Sequence, residues 1–586
     1  MMKYYTGNEH ISLINIDEDL TINGLSFLSM GLNGNIFLDC SIRQKLIVNN
    51  YEFNLNVGKF DYKNYWIPEL KIQNNFFSVS YNVFAPKDKR GFIKSIRIKN
   101  TSKEKINIKL KQEFILKNIF LNINTSYKIN PEIRITFNEW FKNIAVTAIE
   151  KGIIFSLALG ADFSFEYKIF NNNILMTSDL SIESQEEKEV NYFFGIGAED
   201  MAAFSSNVYF ERQKVANLFN ELESWLYKNI RIFQNKNIEK IYNTNLFFNY
   251  FFTNGITIDT EELVCVTSRS PEYYVSGAYW DRDIFLWSFP AILDMDVNKA
   301  KLILEYGFKI QGKNFGVHSR FINGNTLECG FELDELCAPF MALESYIKKT
   351  GDFDFLKKYF ILEILNSAND KFKKWKHTNY FIYATELRPS DDMATYKYNT
   401  YDNVLTWRTF KSIAYLYKIL GNKKQVLYFN NLSRKLIKDI KRFAFIVKEK
   451  IIAYEFDTKN NYILYEEPAG SLKLLYYYGF LEKNNIYYKN TLRWIYSEKN
   501  KYFFKKSNFK ETGCIHATQP WPLSAANSIF VPNYEKFGID FFKNVKMDNF
   551  YACESVDENK GTSKTGKAFA TAAGFIVKAL KNIFDV

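Results

Sequence analysis

Hydrophobic and polar positions follow two different rhythms along the chain, and the change of rhythm divides it. Up to about residue 210 apolar residues recur at every second position, over 36–48, 76–84 and 92–98 and then in shorter runs at 107–116, 144–149, 153–159 and 189–195. Period-2 alternation places one side of each segment on a core, which is the pattern of half-buried strands. Asn, Gly, Lys and Ser interrupt these runs at roughly the 8–12-residue spacing of an antiparallel sandwich. Few carboxylates cluster there, so this part is expected to be a scaffold.

Near Phe210 the rhythm becomes helical. An amphipathic segment at 212–229 (Val215, Leu218, Phe219, Leu222, Trp225, Leu226) reads as a linker helix. Beyond it, period and breakers predict twelve helices, at 238–253, 281–293, 297–311, 334–350, 353–374, 401–420, 422–444, 469–480, 486–497, 519–528, 534–546 and 565–582. Even-numbered helices run into the next through one to five residues. Odd-numbered helices are followed by about 20 residues, and long loops inside a compact domain are usually functional. With antiparallel neighbours, every long loop emerges at one end. The expected fold is therefore an N-terminal antiparallel β-sandwich (1–210), a linker helix (211–235) and an all-α (α/α)6 barrel (236–586), with a pocket at the centre of the loop-bearing face.

Composition narrows the function classes. Charged residues are 24% and hydrophobic ones 47%, so the chain can bury a large core. Its net charge of +11 is spread along the whole length without a block of like charges, which argues against nucleic acid as a partner. Six cysteines without CxxC spacing and four histidines in all give no expectation of a metal centre, a disulfide scaffold or a cofactor. No run of 18 apolar residues occurs, so no membrane association is expected. A cytoplasmic location is the expectation, and a homo-oligomer stays open. The 55 Phe and 39 Tyr suit a protein that stacks rings on sugars.

The long loops carry the candidate chemistry. The first ends in Tyr279, Trp280, Asp281, Arg282 and Asp283, a stacking surface beside bidentate polar groups; the same residues also read as a helix start with a buried ion pair. The second carries His318, then Glu332, Asp334 and Glu335, which suit sugar hydroxyls or, alternatively, the helix dipole. The third holds Glu386, Arg388, Asp391, Asp392 and Asn399. Adjacent acids at a helix mouth suit acid/base work, and as a plain alternative they cap the helix. The fourth contains Glu467, the fifth His516 and Trp521 as an aromatic wall, and the sixth Glu554, Asp557 and Glu558. Acids on the third and sixth loops would flank a glycosidic bond from opposite sides, one donating a proton and the other activating a water.

Residues 277–290, Gly-Ala-Tyr-Trp-Asp-Arg-Asp-Ile-Phe-Leu-Trp-Ser-Phe-Pro, resemble the barrel entry of glycoside hydrolase family 65, the maltose, kojibiose and trehalose phosphorylases. Arg388-Pro-Ser-Asp followed by Asn399-Thr-Tyr-Asp-Asn is similar to that family's catalytic stretch, and the resemblance puts the proton donor on Asp391, with Asp392 as its close competitor. The family's donor is a glutamate, so aspartate here is a departure. Cys553-Glu-Ser-Val-Asp resembles the general-base segment of the family 15 glucoamylases, which would make Glu554 the base. The resemblance implies an inverting, exo-acting glycoside hydrolase on α-glucosidic oligosaccharides or disaccharides. Asp391 would be the acid, with a raised pKa, and Trp280, Asp281, Arg282 and Glu335 would hold the sugar. Trp407 would support the acid loop or lie in the core. A phosphorylase and a non-catalytic carbohydrate-binding protein are the alternatives. The partner expected in every case is a small carbohydrate.

Overall fold

The structure is a computed structural model that describes residues 3–584. Its contacts divide it into two units, residues 1–230 with 254–264 and 269–277, and residues 231–253 with 265–268 and 278–586.

The first unit is built on two antiparallel sheets of nine and eight strands. The long strands Gly34–Val48 and Ile106–Asn122 pair from Ile108↔Val48 to Asn122↔Asn35, with one register shift between Leu116 and Asn118. In the other sheet Gly91–Asn100 lies between Phe77–Phe84 and Glu187–Gly197. The alternation read in the sequence is a real in/out pattern: Ile42, Leu46, Leu110 and Phe114 share one core with Val79, Ile96, Tyr192 and Phe194 of the facing sheet.

The helix expected at 212–229 is α2 (Val215–Asn229), and it is preceded by a helix that the period did not predict, α1 (Asp200–Gln213). They break at Lys214, whose φ of 60° no right-handed helix accommodates. α1 does not stand apart. Ala203 and Phe204 pack on Ala145 and Ala158, and Asn207 donates to Asn143 Oδ1 at 2.6 Å and to the carbonyl of Ala158 at 3.1 Å. The first unit runs on to Ile230, because these small strand residues let the helix lie close enough to join the sandwich.

The second unit contains α3 (Lys236–Phe252), a π-helical turn Arg282–Ser288 that continues as α4 (Phe289–Met295), α5 (Val297–Tyr306), α6 (Leu333–Thr350), α7 (Phe353–Leu356), α8 (Tyr359–Trp375), α9 (Thr400–Ile419), α10 (Lys423–Ala444), α11 (Ile486–Ile495), α12 (Pro522–Ile529), α13 (Glu535–Asn544) and α14 (Ala570–Phe584). The expected helix at 469–480 is only a 3-10 turn, Leu472–Leu475, because Ser471 bonds the backbone N–H of Lys473 and Leu474 and winds the chain tighter. The expected helix at 353–374 is split into α7 and α8 at Lys357–Lys358.

The π-turn with α4, then α6, α9, the 3-10 turn, α12 and α14 touch in succession, and α14 returns to the π-turn. That is a closed inner ring. α10 lies outside α9, α13 outside α12, and α5 touches both α4 and α6. Inner helices are buried on nearly all sides, whereas α10 buries one stripe (Phe429, Leu432, Leu436, Ile440). Trp407 is core: it is buried and meets Phe480 edge-on at 5.2 Å. Among the described residues, no helix is long and apolar enough to cross a membrane.

Candidate active site

Each inner element is entered from a long loop, so its N-terminal end faces the same side of the ring. Arg282 opens the π-turn, Glu332 precedes α6, Asp391 and Asp392 precede α9, Glu467 precedes the 3-10 turn, His516 and Trp521 precede α12, and Glu554 precedes α14.

Arg282 is the hub. Its guanidinium, 3% exposed, bonds Asp391 Oδ1 at 2.9 Å and Glu332 Oε2, with Asp334 at 3.4 Å, Glu335 at 3.5 Å and Asp283 at 3.5 Å. Glu332 is also bonded by His318 Nδ1. Burial works against a charged His318, but the hydrogen bond and charge of Glu332 prevail and raise its pKa to about 9. Beneath lies a second buried pair, Arg320 with Asp281, joined by the Tyr279 hydroxyl at 2.8 Å from Asp281 Oδ1. Positive charge comes from Arg282, His318 and Arg320, and carboxyls come from Asp281, Asp283, Glu332, Asp334, Glu335 and Asp391. Acids outnumber cations, so this cluster stores protons. Burial accordingly pushes Asp283 up to about 7, with Arg282 opposing, and Asp334 rises likewise.

Asp391 is the open member of the cluster, with 47% of its side chain exposed. Desolvation by the surrounding protein raises its pKa, Arg282 counters this, and Glu332 adds to the rise. Its backbone is left-handed, φ 67°, a conformation that costs a non-glycine residue free energy and is kept only where the surroundings enforce it. They do so here. Asp391 N–H bonds the Arg388 carbonyl at 2.8 Å and Arg388 N–H bonds the Asp392 carbonyl at 2.7 Å. Glu467 accepts from Ser390 N–H at 3.1 Å and Ser390 Oγ at 2.7 Å. Burial raises the Glu467 pKa to about 8.

His516 draws the third, fifth and sixth loops together. Its Nδ1 is 3.2 Å from Asp392 Oδ2 and its Nε2 is 3.5 Å from Glu554 Oε1. Burial disfavours its charge, but hydrogen bonding to Asp392, Cys514 and Glu554 outweighs this and holds the ring protonated. One imidazole spanning Asp392 and Glu554 brings the tips of the third and sixth loops to the same mouth of the ring, beside Asp391.

Several expected sugar-binding residues hold the site instead of lining it. Tyr279, Asp281 and Glu335 have no exposed surface. Glu335 caps the π-turn by accepting from the N–H groups of Asp281 and Arg282. Arg388 is bound to Glu455 and lies 4.6 Å from the Tyr465 ring centre. Glu386, although exposed, bonds the Phe331 N–H at 2.8 Å. Asn399 caps α9, and Trp521 Nε1 bonds the Ala517 carbonyl at 2.9 Å. Trp280 is 3% exposed and lies edge-on to His318 at 5.7 Å. Asp557 and Glu558 lie further along the sixth loop, where Asp557 closes its own turn through Asn559 and Lys560 N–H.

His516, His318, Arg320 and Asp402 have parts that the sequence reading did not assign. Two of the chain's four histidines on long loops beside acids were a usable signal. Asp402, fully buried with neither carboxyl oxygen hydrogen-bonded, reads in sequence as an ordinary helix-start aspartate. Burial, with Asp334 and Glu467 nearby, keeps it neutral.

A helical ring with an acid-rich mouth is the architecture of the six-hairpin glycosidases, and comparison agrees. Residues 375–580 match the family model described as metal-independent alpha-mannosidase (GH125). A bacterial glucoamylase complexed with acarbose superposes with a TM-score of 0.65 at 12% identity, covering 100% of this chain and 94% of that one. A putative kojibiose phosphorylase from human microbiome gives 0.62 at 12% identity, covering 98% and 86%. The Streptococcus pneumoniae metal-independent alpha-mannosidase, in a non-productive complex with alpha-1,6-mannobiose, gives 0.52 at 16% identity, covering 63% of this chain and 98% of that one. A search of curated proteins finds no match. The chain is glycoside hydrolase-like, with a sandwich-like β region followed by a helical barrel.

Proposed function

We propose that the protein is an inverting, exo-acting glycoside hydrolase acting on α-mannosides. Asp391 is the general acid and Glu554 the general base. Arg282, its guanidinium held by the buried Asp283, Glu332 and Asp334, positions Asp391 at the non-reducing sugar, and His516 sets the spacing between Asp392 and Glu554. The observation that supports this reading is that His516 draws Glu554 and Asp392, the chain neighbour of Asp391, together from separate loops, in the part of the chain that matches the alpha-mannosidase model. That match also moves the proposed sugar from the α-glucosides expected from sequence to α-mannosides.

In the reaction, Asp391 gives its proton to the leaving oxygen. Glu554 takes a proton from a water that attacks the anomeric carbon from the opposite face, so an α-linked sugar is released as the β anomer. The buried acids below the site are already fixed by Arg282, His318 and Arg320, so they need little rearrangement as positive charge develops on the sugar.

Incubating the chain with α-mannobioses and α-glucobioses, with and without inorganic phosphate, and following the product by NMR tests the proposal. β-Mannose formed without phosphate is expected. α-Mannose would refute inversion, and exclusive cleavage of glucosides would refute the sugar. Strict phosphate dependence would favour a phosphorylase, the reading that the kojibiose phosphorylase likeness supports. Glu554→Gln should lower turnover by at least about a hundredfold without shifting the unfolding transition.

A further inference from the structure

The inner ring has a second recess, toward the end away from the long loops. It is a cavity of about 330 Å3, just above the lower limit of about 300 Å3 for small-molecule sites. Phe285, Leu286, Phe289, Leu293, Met341 and Phe575 give it an apolar wall, contributed by the π-turn, α4, the second half of α6 and α14. Asp294, Arg408 and Lys578 also line it, with Tyr477 and Tyr478.

Positive charge is in excess there. Asp294 Oδ2 takes Lys581 at 2.9 Å and Lys578 at 3.3 Å, and Oδ1 takes Lys349 at 2.9 Å. Burial opposes the Asp294 charge, but the three ammonium groups prevail and lower its pKa to about 2. Glu344 in turn takes Arg408 and Lys348, each at 2.6 Å. Two carboxylates therefore hold five cations. Helix dipoles account for Lys348, Lys349 and Lys581, which stand in last turns. They do not account for Arg408 in the middle of α9, or for Lys578, which comes before the last turn of α14. Arg408 uses two of its five N–H donors, on Ser412 and Glu344, and Lys578 uses one of three, on Asp294. Both have donors left for a ligand.

We propose that this recess binds a small organic carboxylate, its apolar body on the wall of Phe289, Leu293 and Phe575 and its charged head on Arg408 and Lys578. The wall alone would suit a neutral hydrocarbon, and the cations alone an inorganic anion. Side by side they suit a molecule that carries both ends. The site is separate from the acid-bearing mouth, so its ligand and a sugar do not compete. It does not rest on the proposed function.

Hexanoate and benzoate are the probes, an aliphatic and an aromatic acid, in calorimetric titration and thermal unfolding of the full chain. At least one is expected to bind with one equivalent and to raise the unfolding temperature as its concentration increases; the tighter of the two tells a chain-shaped ligand from a ring. Acetate, a head without a body, and hexanol, a body without a head, should bind at least about tenfold more weakly. Added salt should weaken the acids. Lys578→Met should weaken them at least about threefold. Ser345 is exposed on α6 and lines the recess, so Ser345→Phe fills it and should abolish binding with every ion pair intact. No binding of either acid, equal binding of acetate and the larger acids, or binding unchanged in either variant overturns the site. Displacement of the acid by α-mannobiose overturns it too, since that would put the acid at the loop-side mouth.

Discussion

Two aspartates, one residue apart, have different work because the backbone turns between them. Asp391 sits at positive φ with its carboxyl half open beside Arg282, whereas Asp392 is held by Ser390 and His516. Asp391→Asn separates their roles cleanly, since asparagine tolerates the left-handed backbone and keeps the turn. Hydrolysis of substrates with poor leaving groups is expected to fall about 10²–10⁴-fold, while aryl glycosides whose leaving group needs no proton retain most of their rate. Asp392→Asn should slow both substrate types alike. Steady-state kinetics on the two types checks this, and the reverse pattern would make Asp392 the acid. The acids themselves were legible in sequence, because they stand in long loops before predicted helices. Which of them meet a ligand was not. Asp281, Glu335 and Arg388 are removed from the surface by partners far along the chain (Arg320, the π-turn backbone, Glu455), and spacing carries no record of such pairs.

At the level of elements, the strand pattern was readable because each strand alternates, and the exceptions are instructive. Lys94 occupies an inward position of Gly91–Asn100, fully buried; its ammonium has the Ile42 carbonyl at 3.4 Å and the Tyr81 ring centre at 5.4 Å. Burial lowers its pKa to about 7, with Asp19 opposing weakly. The folded state therefore binds fewer protons than the unfolded one between about pH 7 and 10.5, and by linkage this residue's contribution to stability rises as pH increases through that window. Lys94→Met removes the penalty. The variant should be more stable than the parent at pH 7, and its advantage should shrink by up to about 1.4 kcal/mol per pH unit on going alkaline. Urea unfolding at several pH values measures it, and an advantage independent of pH would show that Lys94 is not the group being titrated. The helices were legible for the complementary reason. Outer α10 shows its stripe, whereas the inner elements, buried nearly all round, had to be placed from flanking breakers. That approach failed at 469–480, where Ser471 bends the backbone into a 3-10 turn.

The ring as a whole was inferred from the alternation of short and long connections, and its closure depends on one narrow contact that no spacing reveals. The last inner helix, α14, meets the first inner element at Gly574, where an added Cβ would lie 2.6 Å from the Trp287 carbonyl oxygen and 2.7 Å from Ser288 Cα. Those are backbone atoms at the end of the π-turn, just before α4, so they have little room to move aside. One turn earlier on α14, Thr571 donates to Asp283 Oδ1 at 2.8 Å, which ties the same contact to the acid cluster around Arg282. A methyl group at 574 should therefore act in two places. Gly574→Ala is expected to cost about 1–3 kcal/mol through overpacking, read from urea unfolding of the full chain. It should also lower kcat/KM, because pushing α14 outward pulls Thr571 from Asp283 and loosens the neighbours of Arg282. Thr571→Val, which lacks the hydroxyl donor, should reproduce the kinetic loss with a smaller stability cost. If Gly574→Ala lost stability with unchanged kinetics, closure of the ring and arrangement of the acids would be separate properties of this fold; if both fell together, the ring would be what holds the acids in register.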